Sequence, residues 1–408
     1  MTGFRLGMGL LLLGAMARAG APLPPEEDLR AAIESSPAVQ MARAGLGEAT
    51  ATANSLRAGP HEWTLRLEGQ DRDVRGDRAY TEWYSGLEHG VRWFGKRSLD
   101  EAAARLQGPL AEAQVADLVR EQRIALLEAW FDCLAADRRA ALATAALAEA
   151  RALDRIASLR HQHGDASRAE ADLAAADLAA AEAEQASASA LASGGVEALR
   201  LMGLGASCHA MPIDSLPRPS QDGTAPASPA VTVARLKAEE SQLAAQRARA
   251  NQRPDPVVGV RLGSELGGTD RLAMLSVSLP IGGSRRRAET AAAMARARAQ
   301  ELAVQVAVRS EAGRRLQFQT LEAAGRLRVA SGEQDVTSRR RALDAQMRAY
   351  ELGDAELAIV SQARRQTRQA ELALELARID AWRGASLARL FPGSPDQDPG
   401  APAVPQVR

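Results

Sequence analysis

Four short segments of the chain alternate apolar and polar side chains with the two-residue period of a β-strand. In the first segment, Trp63, Leu65 and Leu67 alternate with polar residues. The third segment repeats this alternation with aliphatic residues, namely Val258, Val260 and Leu262. This period predicts half-exposed strands, and polar links join them into two hairpins. The predicted strands lie at about 61–70, 80–93, 257–266 and 271–280.

Each hairpin is followed by a long stretch in which apolar residues recur at steps of three and four. This spacing predicts α-helices at about 98–161 and 284–350, with no proline after Pro109. At ~1.5 Å per residue, each helix would extend roughly 95 Å. That length suits a conduit better than a globule.

Each long helix ends at a matching turn, with Gly164 and Asp165 in the first and Gly353 and Asp354 in the second. The glycine suits the left-handed residue after a helix, and the aspartate suits the cap of the next helix. Return helices follow both turns. The sequence therefore predicts two helical hairpins, at about 98–200 and 284–390.

The order of these elements occurs twice along the chain. The tetrapeptide Ser-Pro-Ala-Val at 36–39 recurs at 228–231, and each copy opens a helix that leads into a hairpin and a long helical region. The predicted divisions are a first repeat at 20–202, an irregular linker at 203–228, a second repeat at 229–391 and a disordered tail at 392–408.

The first residues, 1–19, have the pattern of a secretory signal peptide. Arg5 precedes an apolar run and a small-x-small cleavage site at 17–19, and an ordinary N-terminal helix is the alternative. No later run approaches the ~20 apolar residues of a membrane helix. If the mature chain spans a membrane, it must do so as a β-barrel.

Composition and motifs exclude several classes of function. The 51 basic and 51 acidic residues cancel, so no excess of positive charge suggests nucleic-acid binding. Aromatic residues make up only 3%, which favours thin, alanine-filled packing of long helices. Because no catalytic motif, phosphate loop or metal-spaced cysteine pair occurs, we predict no enzyme, no cofactor and no metal site.

Two pairs of residues can each be interpreted in more than one way. His161 and His163 lie beside the first turn and could touch metal ions in transit, although exposed histidines are more often inert. Cys133 and Cys208 are far apart in the sequence. Secretion permits a disulfide between them but does not require one.

Four strands are too few to close a barrel. Unpaired backbone groups at a sheet edge cost several kcal/mol each in lipid, and a barrel needs at least about eight strands to enclose its side chains. If these strands span a membrane, several copies of the chain must share one barrel. A soluble β-sandwich hairpin has the same alternation and is the alternative.

Aromatic and basic residues lie where the chain leaves each hairpin. This order is typical of a membrane surface, and a solvated helix start is the alternative. The predicted interface residues are Trp93, Phe94, Lys96, Arg97, Arg285, Arg286 and Arg287.

From about residue 29 to 390 the chain resembles the TolC-type outer-membrane efflux protein family. The resemblance rests on the duplicated Ser-Pro-Ala-Val start, on Ser-Leu-Pro-Ile-Gly-Gly at 278–283 and on Tyr-Glu-Leu-Gly-Asp at 350–354. It implies a mainly α fold with a small membrane β-barrel. The implied assembly is a homotrimer with a twelve-stranded barrel in the outer membrane of a Gram-negative bacterium and a periplasmic coiled-coil tunnel.

The resemblance also implies partners. The channel would dock onto a periplasmic adaptor (membrane fusion protein) and an inner-membrane RND-type pump, and would conduct substrate passively to the exterior. Gly164, Asp165, Gly353 and Asp354 would contact the adaptor by position. Outer-membrane lipid would surround the barrel.

Two departures from the family pattern affect the details. The first junction reads Gly-Lys-Arg at 95–97, which is similar to the heavy-metal-efflux, CzcC-like branch and favours metal cations as cargo. Family gates often carry acids just past the second turn, but here 359–362 reads Ile-Val-Ser-Gln. The predicted gate residues are instead Tyr350, Asp354, Glu356, Glu170 and Asp172.

Two other classes of protein compete with the channel. A periplasmic coiled-coil adaptor or scaffold would also be secreted and alanine-rich, but adaptors typically have one helical hairpin within β-domains. A passive structural rod would share the long helices and would conduct no ions.

Overall fold

The computed structural model describes residues 22–73, 75–76, 78–205, 207–208, 213, 215–218 and 228–391. The predicted signal peptide at 1–19 and the predicted tail at 392–408 lie outside the described residues. The fold is mainly α-helical with one small sheet, as the sequence predicted. No helix in the described part of the chain combines the length and the apolar composition that a bilayer crossing requires.

One series of elements occurs twice: a helix, two strands, a very long helix and a return helix. The first series comprises α2 (Pro37–Ala58), β1 (Trp63–Asp73), β2 (Ala79–Gly90), α3 (Lys96–His163) and α4 (Arg168–Leu201). The second comprises α5 (Pro229–Ala250), β3 (Val257–Glu265), β4 (Asp270–Ser278), α6 (Ser284–Leu352) and α7 (Leu357–Ala388). Helix α1 (Glu26–Ser35) precedes the first series, and a 3-10 turn at Leu266–Gly268 joins β3 to β4.

The four strands form one antiparallel sheet in the order β1-β2-β3-β4. In the two hairpins, Leu65 lies opposite Leu87, and Val260 lies opposite Leu275. The central pairing of β2 with β3 joins the two series and places Leu87 opposite Val260. These four apolar residues therefore form one row across the sheet.

Strand β2 ends at Gly90, before the predicted end at 93. Beyond it, Phe94 and Gly95 have φ angles of 57° and 71°, so the backbone leaves the extended conformation. Strand β4 likewise ends at Ser278, before its predicted end at 280. The reason there is Pro280, which has no N–H to donate to a ladder.

The chain divides into two compact units, which we call the sheet unit and the helical unit. Among the described residues, the sheet unit comprises 33–123, 228–315 and 390–391, and the helical unit comprises 22–32, 124–218 and 316–389. In the helical unit, glycines let α6 and α7 approach closely. A Cβ added at Gly384 would lie 2.4 Å from the backbone nitrogen of Glu322, and one at Gly325 would lie 2.6 Å from that of Ala381. This close packing fits the low aromatic content.

In the sheet unit, Ser228 at the start of the second series binds a buried ion pair and makes no side-chain cap of its helix. Its hydroxyl donates to Glu311 at 2.6 Å, and Arg120 donates to the same carboxylate at 3.0 Å. Burial raises the pKa of Glu311, but the hydrogen bonds from Arg120 and Ser228 outweigh it and lower the pKa below its usual range. The Ser-Pro motif predicted the helix start but not this pair.

A disulfide and a hydrogen bond join the segment between the two series to helices of the helical unit. Cys133 on α3 forms a disulfide with Cys208, and both side chains are fully buried. Trp382 donates its indole N–H to the backbone oxygen of Ser215 at 2.7 Å. The described residues between 203 and 218 lie outside helices and strands. The sequence left this disulfide open because cysteines 75 positions apart show no spacing motif.

Replacing Cys208 by alanine should destabilise the helical unit. In the chain-entropy account, a link across 75 positions is worth about 4 kcal/mol because it restricts the unfolded chain. We expect a lower midpoint of thermal unfolding for Cys208→Ala, and for the wild type in reductant. Reductant should leave the variant unchanged, and equal midpoints for all samples would contradict a structural role.

Candidate functional site

One face of the sheet is mainly apolar and exposed, and its charged residues, Asp71, Asp73 and Arg271, lie toward the turns of the two hairpins. Leu65 is 66% exposed, Leu67 is 71% exposed and Leu275 is 78% exposed. The pairing registers place these side chains on one face, because residues opposite each other in a sheet share a face. The same face carries Trp63, Trp83, Leu87, Val258, Val260, Leu262 and Val277. An apolar surface of this extent marks a site for an apolar partner.

The opposite face of the sheet carries linked charges. Arg66 lies 3.6 Å from Glu88 on the neighbouring strand. Arg261 lies 3.5 Å from Glu68, two strands away, and Gly86 on the strand between has no side chain to block this contact. A face of paired charges suits contact with water. The sheet therefore has one mainly apolar face and one charged face.

Strands β1 and β4 are the edges of the sheet within the described part of the chain. Every residue of β1 is exposed, and so is every residue of β4 except Leu272. An edge strand presents a row of backbone N–H and C=O groups that can pair with a further strand. Both edges therefore offer a template for another chain.

A buried ion pair lies where the chain enters β3. The ammonium of Lys96 lies 2.7 Å from one carboxylate oxygen of Asp255, and the two side chains are 1% and 7% exposed. The other oxygen accepts a hydrogen bond from Arg92 at 3.0 Å and lies 2.9 Å from His61. His61 precedes β1, and Arg92 lies between β2 and α3. Asp255 therefore ties both ends of the first hairpin to the start of the second.

This geometry corrects the prediction for Lys96. The sequence placed Lys96 with Arg97 at a membrane surface, but the Lys96 ammonium is buried and also donates to the backbone oxygen of Arg253. Arg97 is 79% exposed, and Trp93 and Phe94 are half-exposed rings stacked 4.4 Å apart. Lys96 and Arg97 open α3 and point in different directions. Their order in the sequence could not show which one is buried.

The three arginines of the second junction differ in their contacts. Arg286 donates to the backbone oxygen of Asn251 at 2.6 Å and is half-buried. Arg285 pairs with Glu289 at 2.8 Å and, like Arg287, is exposed. Arg285 and Arg287 therefore lie at the protein surface, and their contact with a membrane stays a prediction.

Asp255 is held in its ionised form. Burial raises the pKa of this carboxyl, but hydrogen bonds from Lys96, His61 and Arg92 outweigh burial and hold the pKa well below its usual range. A carboxyl with a lowered pKa stabilises the fold above its unfolded value of about 4. That stabilisation is lost as the pH falls toward the folded value.

The two helical turns have the same backbone geometry. Gly164 and Gly353 have φ angles of 84° and 85°, which only glycine adopts without strain. The N–H groups of Asp165 and Asp354 each donate, at 2.8 Å, to a carbonyl five residues earlier. Both turns therefore close the preceding helix with the cap expected of a glycine at this position.

The prediction that the aspartates cap the next helices is wrong. Ser167 caps α4, because its hydroxyl accepts the N–H of Glu170 at 3.2 Å. Helix α7 begins after Glu356 without a side-chain cap bond. Asp165 and Asp354 lie two residues too early, since their N–H groups still belong to the preceding helix. Both side chains are exposed.

Two of the predicted gate residues meet in the helical unit. Tyr350 is 5% exposed and donates its hydroxyl to Glu170 at 2.9 Å. Arg160 lies 4.9 Å from the Tyr350 ring and 4.0 Å from the Glu170 carboxylate. Burial and the hydrogen bond to Glu170 raise the pKa of Tyr350, so its hydroxyl remains a donor.

The other predicted gate residues do not join this cluster. Asp354, Glu356 and Asp172 are exposed, and Asp172 lies 3.8 Å from Arg168 on its own helix. His161 lies 3.0 Å from the backbone oxygen of Ala166. Among the residues that the structure describes, no group of three or more His, Cys, Asp and Glu side chains could hold a metal ion.

Sequence reasoning missed Asp255, Arg92 and Arg160. A signal for Asp255 was present, because Pro254 and Pro256 flank it at the entrance to a predicted strand. No comparable signal marks Arg160, whose partners Tyr350 and Glu170 are brought to it by the fold. Charged residues on a helix usually face solvent, so a buried partner is visible only in three dimensions.

Comparison with known proteins gives a match at the level of structure. No model of a protein family matches the sequence, and no curated protein matches it. The outer membrane channel CmeC of Campylobacter jejuni is 14% identical, with a TM-score of 0.76 over 90% of this chain and 85% of that chain. The outer membrane protein VceC of Vibrio cholerae is 19% identical, with a TM-score of 0.72 over 90% and 96%. CusC, studied for transmembrane channel formation, is 14% identical, with a TM-score of 0.74 over 90% and 91%.

These likenesses establish the fold. The chain has the fold of TolC-type outer-membrane channels, and the prediction of a mainly α-helical fold with a small sheet is confirmed. The shared barrel, the homotrimer and the coiled-coil tunnel stay predictions. The matches do not single out the CzcC-like branch. At such low identity they assign no role to individual residues.

Replacing Asp255 by asparagine should destabilise the sheet unit. The change leaves the buried Lys96 ammonium without its charge partner, which costs about 3 kcal/mol. We expect a clear drop in the thermal midpoint of the detergent-solubilised protein. The matched control is Arg97→Met at the neighbouring exposed cation, which should change stability by less than about 0.5 kcal/mol. Equal effects of the two variants would contradict the assignment.

The carboxyl of Asp255 also predicts how the stability of the protein depends on pH. At about pH 5, Asp255 is ionised in both the folded and the unfolded wild type, so its stabilising contribution should be fully present in the difference in stability between the wild type and Asp255→Asn. It should shrink below about pH 4, where the unfolded carboxyl becomes protonated. Thermal unfolding in a series of buffers measures this difference in stability. A difference that grows as the pH falls below about 4 would contradict a lowered pKa of Asp255.

Proposed function

We propose that this chain is one subunit of an outer-membrane efflux channel in a Gram-negative bacterium. The observation that carries the proposal is the sheet, which has one exposed apolar face, one charged face and two free edges. In a barrel the apolar face would contact lipid and the charged face would contact the aqueous lumen. The fold shared with CmeC, VceC and CusC supports this proposal.

The free edges require other copies of the chain. In lipid, each unpaired backbone group costs several kcal/mol, so β1 and β4 must find partners there. A homotrimer would supply twelve strands, enough to close a barrel around water. The two long helices of each copy would continue the lumen as a periplasmic coiled-coil tunnel, and outer-membrane lipid would surround the strands.

We further propose that the helical turns meet a partner. Gly164, Asp165, Gly353 and Asp354 are exposed at the ends of the helical hairpins, where the aspartate side chains and the glycine backbone are accessible to a partner. A periplasmic adaptor (membrane fusion protein) would dock there and connect the channel to an inner-membrane RND-type pump. Substrate would pass through the tunnel without being transformed, so the chain would not be an enzyme.

Metal cations as cargo stay a prediction that rests on the Gly-Lys-Arg junction at 95–97. A deletion strain tests it directly. Growth of that strain on cobalt, zinc, cadmium and copper should be impaired relative to the parent, and plasmid-borne wild-type protein should restore it. Unchanged tolerance to all four metals would remove the prediction without affecting the channel.

Two measurements test the channel itself. Detergent extracts of outer membranes should contain a band that shifts from trimer to monomer on heating, and the purified protein should conduct ions in planar bilayers. Recovery of the protein in the salt-washed soluble periplasm would instead favour an adaptor or scaffold. A membrane-bound trimer without conductance would favour a passive rod.

Tyr350 and Glu170 should help to keep the helical end of the channel closed. Tyr350→Phe removes a hydrogen bond to a carboxylate, worth about 1.5 kcal/mol, which would raise the ratio of open to closed channels by roughly tenfold or more. Single-channel recording measures this ratio. Glu184→Gln, on the same helix as Glu170 but exposed and outside the predicted gate, is the control and should leave gating unchanged. Equal open probabilities for wild type and Tyr350→Phe would remove the cluster from the gate.

A further inference from the structure

The internal duplication specifies how a second copy would pair with the free edges. We infer that β4 of one copy pairs antiparallel with β1 of the next in one register, in which Leu275 lies opposite Leu65 of the neighbour. The inference rests on the proposed shared barrel and adds the register that joins its subunits. The kind of partner is therefore a second copy of this chain.

Equivalent positions of the two hairpins come from their sequences. Leu-Arg-Leu at 65–67 corresponds to Val-Arg-Leu at 260–262, so Leu65 matches Val260. In the second strands, Leu87 matches Leu275, and the same alignment carries Gly95 onto Gly283 at the junctions. The hairpins agree with this assignment, because Leu65 pairs with Leu87 and Val260 pairs with Leu275.

The central pairing of the sheet then serves as a template. There, β2 of the first hairpin pairs with β3 of the second, and Leu87 lies opposite Val260. In a ring of alternating hairpins, the contact between copies has the same form, with β4 in the place of β2 and β1 in the place of β3. In the contact between copies, Leu275 takes the place of Leu87 and Leu65 takes the place of Val260. Leu275 of one copy therefore lies opposite Leu65 of the next.

This register is consistent with the two faces of the sheet. It continues the apolar face from one copy to the next, with Val277 opposite Trp63, and Ala273 opposite Leu67. It also continues the polar face, with Ser276 opposite Thr64. A slip by one residue would place Ala273, Leu275 and Val277 against the polar face of β1.

The charges at the far end of the strands are also compatible with it. Arg271 lies opposite Gly69 of the neighbour and has Asp71 at a diagonal position. Long side chains reach such a diagonal neighbour, at about 7–8 Å between backbones. No like charges lie directly opposite each other. A slip by two residues would preserve the faces, so the duplication is the observation that selects the register.

Disulfide trapping tests the register. Leu65→Cys and Leu275→Cys in one chain should yield covalent dimers and trimers when outer membranes are oxidised with copper phenanthroline and run on non-reducing gels. The matched control is Leu67→Cys with Leu275→Cys, which moves one cysteine by two residues on the same face. Directly opposite residues have Cβ atoms about 5 Å apart and can be bridged, whereas diagonal ones cannot. We expect the first pair to exceed the control several-fold and to be reversed by reductant.

A second pair of cysteines tests the same register in case the first pair prevents folding. Thr64→Cys with Ser276→Cys is conservative, lies on the polar face and belongs to the same register; its control is Arg66→Cys with Ser276→Cys. Stronger trapping by either control pair, in a protein that remains a conducting trimer, would overturn the register and leave the proposed channel standing. A wild-type protein that is monomeric and does not conduct would overturn both.

Discussion

The hydrogen-bonding requirement of strand edges governs the interpretation of this protein. In the described part of the chain the four strands leave two edges, and every residue of β1 and β4 except Leu272 is exposed. The outer side of each edge strand therefore has backbone groups without a partner strand. Water could satisfy these groups, but the apolar face formed by Leu65, Leu67 and Leu275 is unsuited to water. Lipid suits the apolar face but cannot satisfy the edges. Pairing between copies would meet both demands, and this is the reason for proposing a shared barrel.

Buried polar clusters lie at two places where the chain changes direction. At the entrance to the sheet, Asp255 fixes residues next to three strands and the start of α3 through Lys96, Arg92 and His61. At the end of the long helices, Tyr350 and Glu170 join the two helical hairpins. The cluster around Asp255 suits a part of the protein that does not move, because breaking a buried ion pair is costly. A single phenol-to-carboxylate hydrogen bond is weaker and suits an element that opens.

Local signals in the sequence were sufficient for the fold. Alternation found all four strands, apolar spacing found the long helices, and glycines marked their ends, because each signal arises from neighbouring residues. The end of β2, the burial of Lys96, the disulfide of Cys133 with Cys208 and the contact of Arg160 were not predictable in this way. Each of them depends on a partner that is distant in the sequence and is brought near only by the folded chain.

The central claim is that one face of the sheet lies in lipid and the other in water. Spin labels on single cysteines at 64, 65, 66 and 67, in the protein reconstituted into bilayers, test it directly. Labels at 65 and 67 should be accessible to oxygen, which dissolves in lipid, and labels at 64 and 66 to a water-soluble nickel chelate. Uniform access of the nickel chelate to all four positions would place the sheet in water and contradict the account.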